Sequence, residues 1–217
     1  MARLFVNLDA DSPEFRLPTK LYLQSESTHY LIHVLRLEVG DYVELIDRQS
    51  ARAFDARILN LGPRLEAELY AEVQWRDRAN SRVSSLLVGL PKGKRADLIV
   101  EKATELGVAK ISFWQAQHSV PILRDGQEQA KVDRWKRVAE AAAKQCQRQT
   151  IPNISFFNSL ESLLTSLQSA SGNAAKLLCC SLSEDALPLR QLLPPKHEVH
   201  LVIGPEGDFS ESELNQL

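Results

Sequence analysis

The sequence has too few cysteines for a disulfide framework. It has three, and two of them, Cys179 and Cys180, are adjacent. That usage predicts buried thiols in a protein of the reducing cytoplasm. No apolar run approaches the roughly 18 residues that a membrane span needs. The first residues, Met1–Asn7, enter a strand-like pattern directly, without the apolar stretch or cleavage site of a signal peptide. Internal repeats and low-complexity tracts are absent. With 44% hydrophobic, 25% charged and 6% aromatic residues, the 217-residue chain is neither disordered nor fibrous.

Several catalytic signatures are also missing. Gly89-Leu-Pro-Lys-Gly93-Lys94 has three residues between its glycines and Arg95 after the lysine, so it is not a phosphate loop of the NTPase type. No Gly-x-Gly-x-x-Gly follows a strand, and no Gly-x-Ser-x-Gly elbow is present. His29 and His33 could share a helix face but lack a third ligand, and Cys179-Cys180 with His197 and His200 makes no tetrahedral set. No metal site is expected.

The net charge of −2 conceals a division. Residues 1–80 carry −3, residues 92–148 carry +5 and residues 149–217 carry −5. A basic middle suits a phosphate-rich partner, although the plainer reading is helix faces solvated by lysine.

Periodicity divides the chain in two. Strand patterns at 3–8, 42–47, 53–60 and 65–75, with one short helix capped by Ser27, predict a small β-barrel over residues 1–75. In the last strand Leu65, Leu69, Val73 and Trp75 alternate with Glu66, Glu68, Glu72 and Gln74. A polar linker, 76–82, follows. From Val83 strands and helices alternate, which predicts an α/β domain with a largely parallel sheet over 83–217. The first helix, 95–106, is expected to bury a stripe of Leu98, Ile99, Lys102, Ala103 and Leu106, with Gly107 just past its end. A long helix over 129–148 places Val132, Trp135, Val138, Ala139 and Ala142 at helical spacing. Asn158-Ser-Leu-Glu161 and Ser210-Glu-Ser-Glu213 both read as capping boxes. The second opens a helix that stops after about two turns, too short to bury a face, and the sequence is therefore expected to lack a final segment.

Two clusters carry the chemistry. Val202-Ile-Gly-Pro-Glu-Gly207 runs from a strand into a glycine-flanked turn, where backbone amides can approach a ligand at the strand's carboxyl end. There Glu206 could compensate a cationic ligand or orient a ribose hydroxyl; the alternative is a tight turn and no more. Lys92, Lys94 and Arg95 precede a helix, and Arg134, Lys136, Arg137, Lys144 and Arg148 lie on the next. If the two surfaces converge, they form the positive track that RNA requires.

The ordered set Lys92-Gly93, Asp97, Glu101-Lys-Ala-Thr-Glu-Leu-Gly-Val108, Arg134-Trp135, Gln145-Cys146-x-Arg148, Ile203-Gly-Pro-Glu-Gly207 and Phe209-Ser210 through Glu213 resembles the ribosomal RNA small subunit methyltransferase E family. Residues 33–41 are similar to that family's leading domain. The resemblance implies a PUA-like, RNA-binding β-barrel, then a SPOUT-type α/β domain with a C-terminal trefoil knot, acting as a homodimer. It implies methylation of N3 of a uridine in 16S rRNA, within the small ribosomal subunit, with S-adenosylmethionine as donor. Carried over by motif, Ile203, Gly204, Pro205, Glu206 and Gly207 belong to a cofactor loop. Arg36, Lys92, Lys94, Arg95, Gln145 and Arg148 contact RNA or the target base. Glu101, Glu105 and His118 are possible bases. The family usually has glycine at Asp208, Glu-Arg at Gln117-His118, an acid at Lys144, and a further segment that completes the cofactor site. A SPOUT enzyme acting on another RNA, or a noncatalytic RNA-binding module, are the alternatives.

Overall fold

The computed structural model describes residues 2–8, 10–12, 15–23, 36–62, 65–73, 83–123, 126–170, 176–182, 186–192 and 199–217. The chain divides into two compact units, Met1–Asp77 and Arg78–Leu217.

In the first unit, β1 (Ala2–Val6), β2 (Thr19–Leu23), β3 (Tyr42–Asp47), β4 (Ala53–Asn60) and β5 (Leu65–Val73) form one sheet in the order β1-β3-β4-β5-β2. The β1–β3 pair is parallel and the other pairs are antiparallel. Alternation turns Leu65, Ala67 and Leu69 inward against Val43, Leu45, Phe54 and Ile58. At the end of β3 the Asp47 carboxylate accepts the Leu8 amide at 3.0 Å and the Ser50 amide and hydroxyl at 3.0 and 2.7 Å. Burial opposes that charge, but these donors prevail and hold the carboxyl below its ordinary range. Strand β2 is absent from the sequence-based expectation. Its signal is five residues long, Leu21 and Leu23 alternating with Lys20 and Tyr22, and only pairing with β5 gives it weight. The helix expected after Ser27, its His29 and His33, Trp75 and the 76–82 linker lie outside the described residues.

In the second unit, β6 (Val83–Gly89), β7 (Lys110–Trp114), β8 (Asn153–Phe157), β9 (Lys176–Cys180) and β10 (Val199–Ile203) form an all-parallel sheet in the order β8-β7-β6-β10-β9. The connecting helices are α1 (Arg95–Glu105), α2 (Gln127–Gln145), α3 (Leu160–Ala170), α4 (Leu189–Leu192) and α5 (Glu211–Leu214). The chain starts in the middle of this sheet, builds outward through β7 and β8, then crosses to build the other side. The reversal puts a topological switch point between β6 and β10, where open α/β sheets bind their ligands.

Helix α1 does not bury the expected leucines. Leu98 and Leu106 are 55% and 74% exposed, whereas Ala103 of the expected stripe is buried beside Ala96, Val100 and Thr104, with Ile99 half-buried against the same core. These smaller side chains let α1 lie close to Trp135 and Phe113, whose rings are 4.3 Å apart. Gly107, at φ 92°, ends α1 with the Gly107 amide on the Thr104 carbonyl and the Val108 amide on that of Ala103. Strand β8 has no counterpart in the sequence-based expectation, and Ser159, not Asn158, supplies the cap of α3, its hydroxyl accepting the Ser162 amide at 3.1 Å. Cys179 and Cys180 are exposed rather than buried, because β9 is an edge strand that turns only Leu178 fully inward.

Helix α2 buries Val132, Trp135, Ala139, Ala142 and Ala143. It ends with Gln147 at φ 62° and the Arg148 amide on the Ala143 carbonyl at 2.9 Å. That turn carries Arg148 inward, to 5% exposure. Its guanidinium donates to the carbonyls of Thr104 (2.8 Å) and Val108 (3.1 Å) and to the Thr150 hydroxyl (3.0 Å). Arg148 thus ties the ends of two helices together, and its burial corrects the expected RNA contact.

The opposite layer of the sheet packs Leu87, Trp114, Leu160, Leu163, Val202 and Phe209. One buried carboxylate fixes the last turn to it. Glu213, 7% exposed, accepts Trp114 Nε1 at 3.0 Å and the Gln117 amide at 3.3 Å through one oxygen. Its other oxygen accepts the Ser210 amide and hydroxyl at 2.9 and 3.1 Å, while Ser210 Oγ caps the Glu213 amide. The capping box expected from Ser210-x-x-Glu213 is therefore present, and it is anchored on β7 as well.

Two expectations follow. Arg148→Met removes donors from two helix-end carbonyls and should destabilise the protein by about 2–3 kcal/mol, read from urea unfolding; an unchanged midpoint would refute the structural role. For Glu213, burial works against the charge but the hydrogen bonds outweigh it, so the carboxyl sits below the ordinary 4.5. Its stabilisation is present above that value and is lost as pH falls through the lower folded one. The stability gap between the unsubstituted protein and Glu213→Gln should therefore narrow on acidification, and a pH-independent gap would contradict this.

Candidate functional site

The parallel neighbours β6 and β10 run in register to Val88 and Ile203, so both chains leave the sheet at the same end. A Cβ on Gly89 would lie 2.6 Å from Pro205 Cδ and 2.8 Å from its nitrogen. Glycine is therefore needed at Gly89 for the loops after β6 and β10 to touch. A Cβ on Gly207 would come within 2.9 Å of His118 Cβ, which brings in the segment after β7 as well. Ser119 completes the contact, its hydroxyl donating to the Leu90 carbonyl at 2.9 Å.

Ile203–Gly207 form one continuous strand-end loop. It turns through the Asp208 amide, which donates to the Pro205 carbonyl at 3.0 Å. Asp208 sits at φ 61°, a left-handed conformation that aspartate tolerates better than most residues and glycine adopts freely. His118 Nδ1 lies 3.1 and 3.3 Å from the carbonyl oxygens of Gly207 and Asp208. Two acceptors there assign the proton to Nδ1 and leave Nε2 as an acceptor.

Glu206 joins this loop to the basic segment. Its two carboxylate oxygens accept the Lys92 amide at 3.0 and 3.2 Å, and it forms an ion pair with Arg95. Partial burial opposes the charge, but Arg95 and the Lys92 amide overcome it and hold the carboxyl below its ordinary value. The ammonium groups of Lys92 and Lys94 are exposed beside the loop.

Further along, a cleft of about 200 Å³ is lined by Lys94, Asp97, Lys131, Arg134 and Trp135. Arg134 is held across it by Asp97, with Nε 3.2 Å from Oδ1. Lys94, before α1, and Lys131 and Arg134 of α2 therefore share one cleft. Gln145 is exposed at the end of α2, and Arg36 is exposed in the first unit with φ 52°. Glu101 and Glu105 both pair with Lys102 along α1. Lys144 pairs with Glu140 at 2.8 Å.

The site also depends on residues that the motif reading passed over. Gly89 is one, and its only signal was the failed phosphate-loop match. Trp114 is another: Phe209, which the motif does contain, packs against Gly204 and stacks at 6.2 Å on the Trp114 ring. Half of the Glu213 anchor was visible as a capping box, but its contact with Trp114 spans 99 positions of sequence.

Comparison with known proteins gives a consistent result. The chain is 26% identical to the ribosomal RNA small subunit methyltransferase E of Bacillus subtilis over 222 residues, covering 100% of this chain and 85% of that protein. It is 27% identical over 193 residues to ribosomal RNA small subunit methyltransferase E 2 of Borreliella burgdorferi, covering 86% and 74%. Among solved structures, the Neisseria gonorrhoeae ribosomal RNA small subunit methyltransferase E bound to S-adenosyl methionine superposes with a TM-score of 0.84 at 24% identity, covering 100% of this chain and 84% of the other. The model of the RNA methyltransferase domain matches residues 78–217, the whole sheet around the β6–β10 switch point, and the chain belongs to that family.

Proposed function

We propose that this protein transfers a methyl group from S-adenosylmethionine to N3 of a uridine in 16S rRNA. The observation that carries the reading is the junction at the switch point. A glycine-rich strand-end loop, Ile203–Gly207, is hydrogen-bonded through Glu206 to a cationic segment, Lys92–Arg95. One side suits a nucleoside-bearing cofactor and the other an RNA backbone. The curated relatives carry the corresponding name, and the Neisseria structure contains the cofactor.

When bound, S-adenosylmethionine supplies an electrophilic methyl group on a sulfonium. The chain's own work is positioning and proton removal. Gly204 presents backbone at the crevice, with Ile203 partly exposed beside it and Pro205 buried against Gly89. Lys92, Lys94 and Arg95 draw in phosphate, and the Lys94–Arg134 cleft extends that surface; Gln145 and Arg36 are further contacts in this reading. N3 of uracil must lose its proton before it can form the new N–C bond. Of the three possible bases, His118 is the one at the loop, with Nε2 as the acceptor, whereas Glu101 and Glu105 are engaged by Lys102. The first unit serves as a PUA-like RNA-binding barrel. The second is a SPOUT-type domain, and it works as a homodimer.

Mapping modified uridines in 16S rRNA from a strain lacking this protein should show one N3-methyluridine missing, restored by the gene; an unchanged modification pattern would sink the proposal. Replacing Lys92 and Lys94 together with glutamine should weaken RNA binding and flatten its salt dependence by roughly one to two counterions. Titration with S-adenosylmethionine should be unaffected, and an equal loss of both affinities would refute the assigned roles.

A further inference from the structure

A glutamate in a cofactor loop invites the reading that it faces the sulfonium charge. The geometry points elsewhere. Both oxygens of Glu206 are engaged by the segment after β6: the Lys92 amide lies 3.0 and 3.2 Å from them, and the Arg95 guanidinium pairs with Oε1. An exposed ion pair alone contributes little. The amide contact is different, because it fixes the backbone of one loop to a side chain of the other. Pro205, the residue before Glu206, is pressed against Gly89, three residues before Lys92. The two loops are thus joined at two successive points. An arrangement that orders residues 204–208 also orders residues 92–95, whose lysine side chains project beside the join.

We infer that Glu206 is a positioning residue that couples cofactor binding to RNA binding, by tying the cofactor loop to the Lys92–Arg95 segment. The inference rests on the proposed function. Coupling of this kind is reciprocal: cofactor must raise RNA affinity by the same factor by which RNA raises cofactor affinity. Its loss leaves each ligand able to bind alone.

The test uses the full chain, small ribosomal subunits lacking the modification, and two cofactor probes. S-adenosylmethionine carries the sulfonium charge, and S-adenosylhomocysteine is its neutral thioether product. In the unsubstituted protein S-adenosylhomocysteine should tighten subunit binding by roughly 5-fold or more, within the usual range for coupled sites. In Glu206→Ala the enhancement should fall below about 2-fold, while affinities for the two probes measured without RNA move in parallel. Arg95→Gln should reproduce this loss in part, and the double variant should go no further than Glu206→Ala. A selective loss of S-adenosylmethionine over S-adenosylhomocysteine in Glu206→Ala, with the enhancement intact, would overturn the inference and return Glu206 to the sulfonium. An unsubstituted protein that binds both ligands without mutual enhancement would also overturn it. Failure of the unsubstituted protein to bind either probe would instead remove the proposed function itself.

Discussion

The site depends on a contact that leaves no room for a methyl group. Gly89 and Pro205 meet where two parallel strands end, and any side chain on Gly89 would force the loops apart. The contact exists because the strand order reverses between β6 and β10, which makes residues 116 positions apart into neighbours. The rest of the site follows from this. Lys92 can reach Glu206 only because the chain has already been brought within hydrogen-bond range at Gly89. His118 and Ser119, after β7, then close the third side.

Two glutamates seven residues apart, Glu206 and Glu213, hold this loop in different ways. Glu213 is buried, satisfied on both oxygens, and anchored to an indole and two backbone amides. Loss of such a group leaves several buried donors without an acceptor, so it acts as a fixed foundation. Glu206 lies at an exposed rim and accepts from a loop that carries exposed lysines. Its exposed ion pair with Arg95 is weak enough to be rearranged. The loop is therefore rigid at its far end, near Ser210, and adjustable at its near end, which faces the cations. That gradient suits a site that must hold one ligand while admitting a second.

Much of this was legible in the sequence, because local signals and function coincide there. Ser210-x-x-Glu213 announced its cap, Gly107 its helix end, and the apolar run of β10 its strand. The failures share a cause. The 95–106 pattern offered a leucine stripe, but α1 turns its smaller residues inward because Trp135 and Phe113 already fill the space beneath it. Strand β2 carries Thr19 and Lys20 and β8 carries Asn153 and Ser155 among few apolar residues, a pattern that gains weight only once a partner strand is known. Cys179 and Cys180 read as core residues, and their place on an edge strand is a property of the sheet order rather than of the segment.

Charge shows the same limit most sharply. Lys94 and Arg148 belong to one basic stretch and look equivalent in any count. Lys94 stands at the start of α1 and lines an open cleft. Arg148 follows a left-handed residue at the end of α2, and that single backbone turn aims its guanidinium at the carbonyls of Thr104 and Val108. An excess of +5 over residues 92–148 is therefore not all available to a polyanion. Lys94, before α1, shares its cleft with Lys131 and Arg134 of α2, and Arg148 lends its charge to joining the helices that carry them. A substitution at either position can reduce RNA binding. At Lys94 the loss is electrostatic and fades as salt rises; at Arg148 it comes from the collapse of the helix ends and persists at every ionic strength.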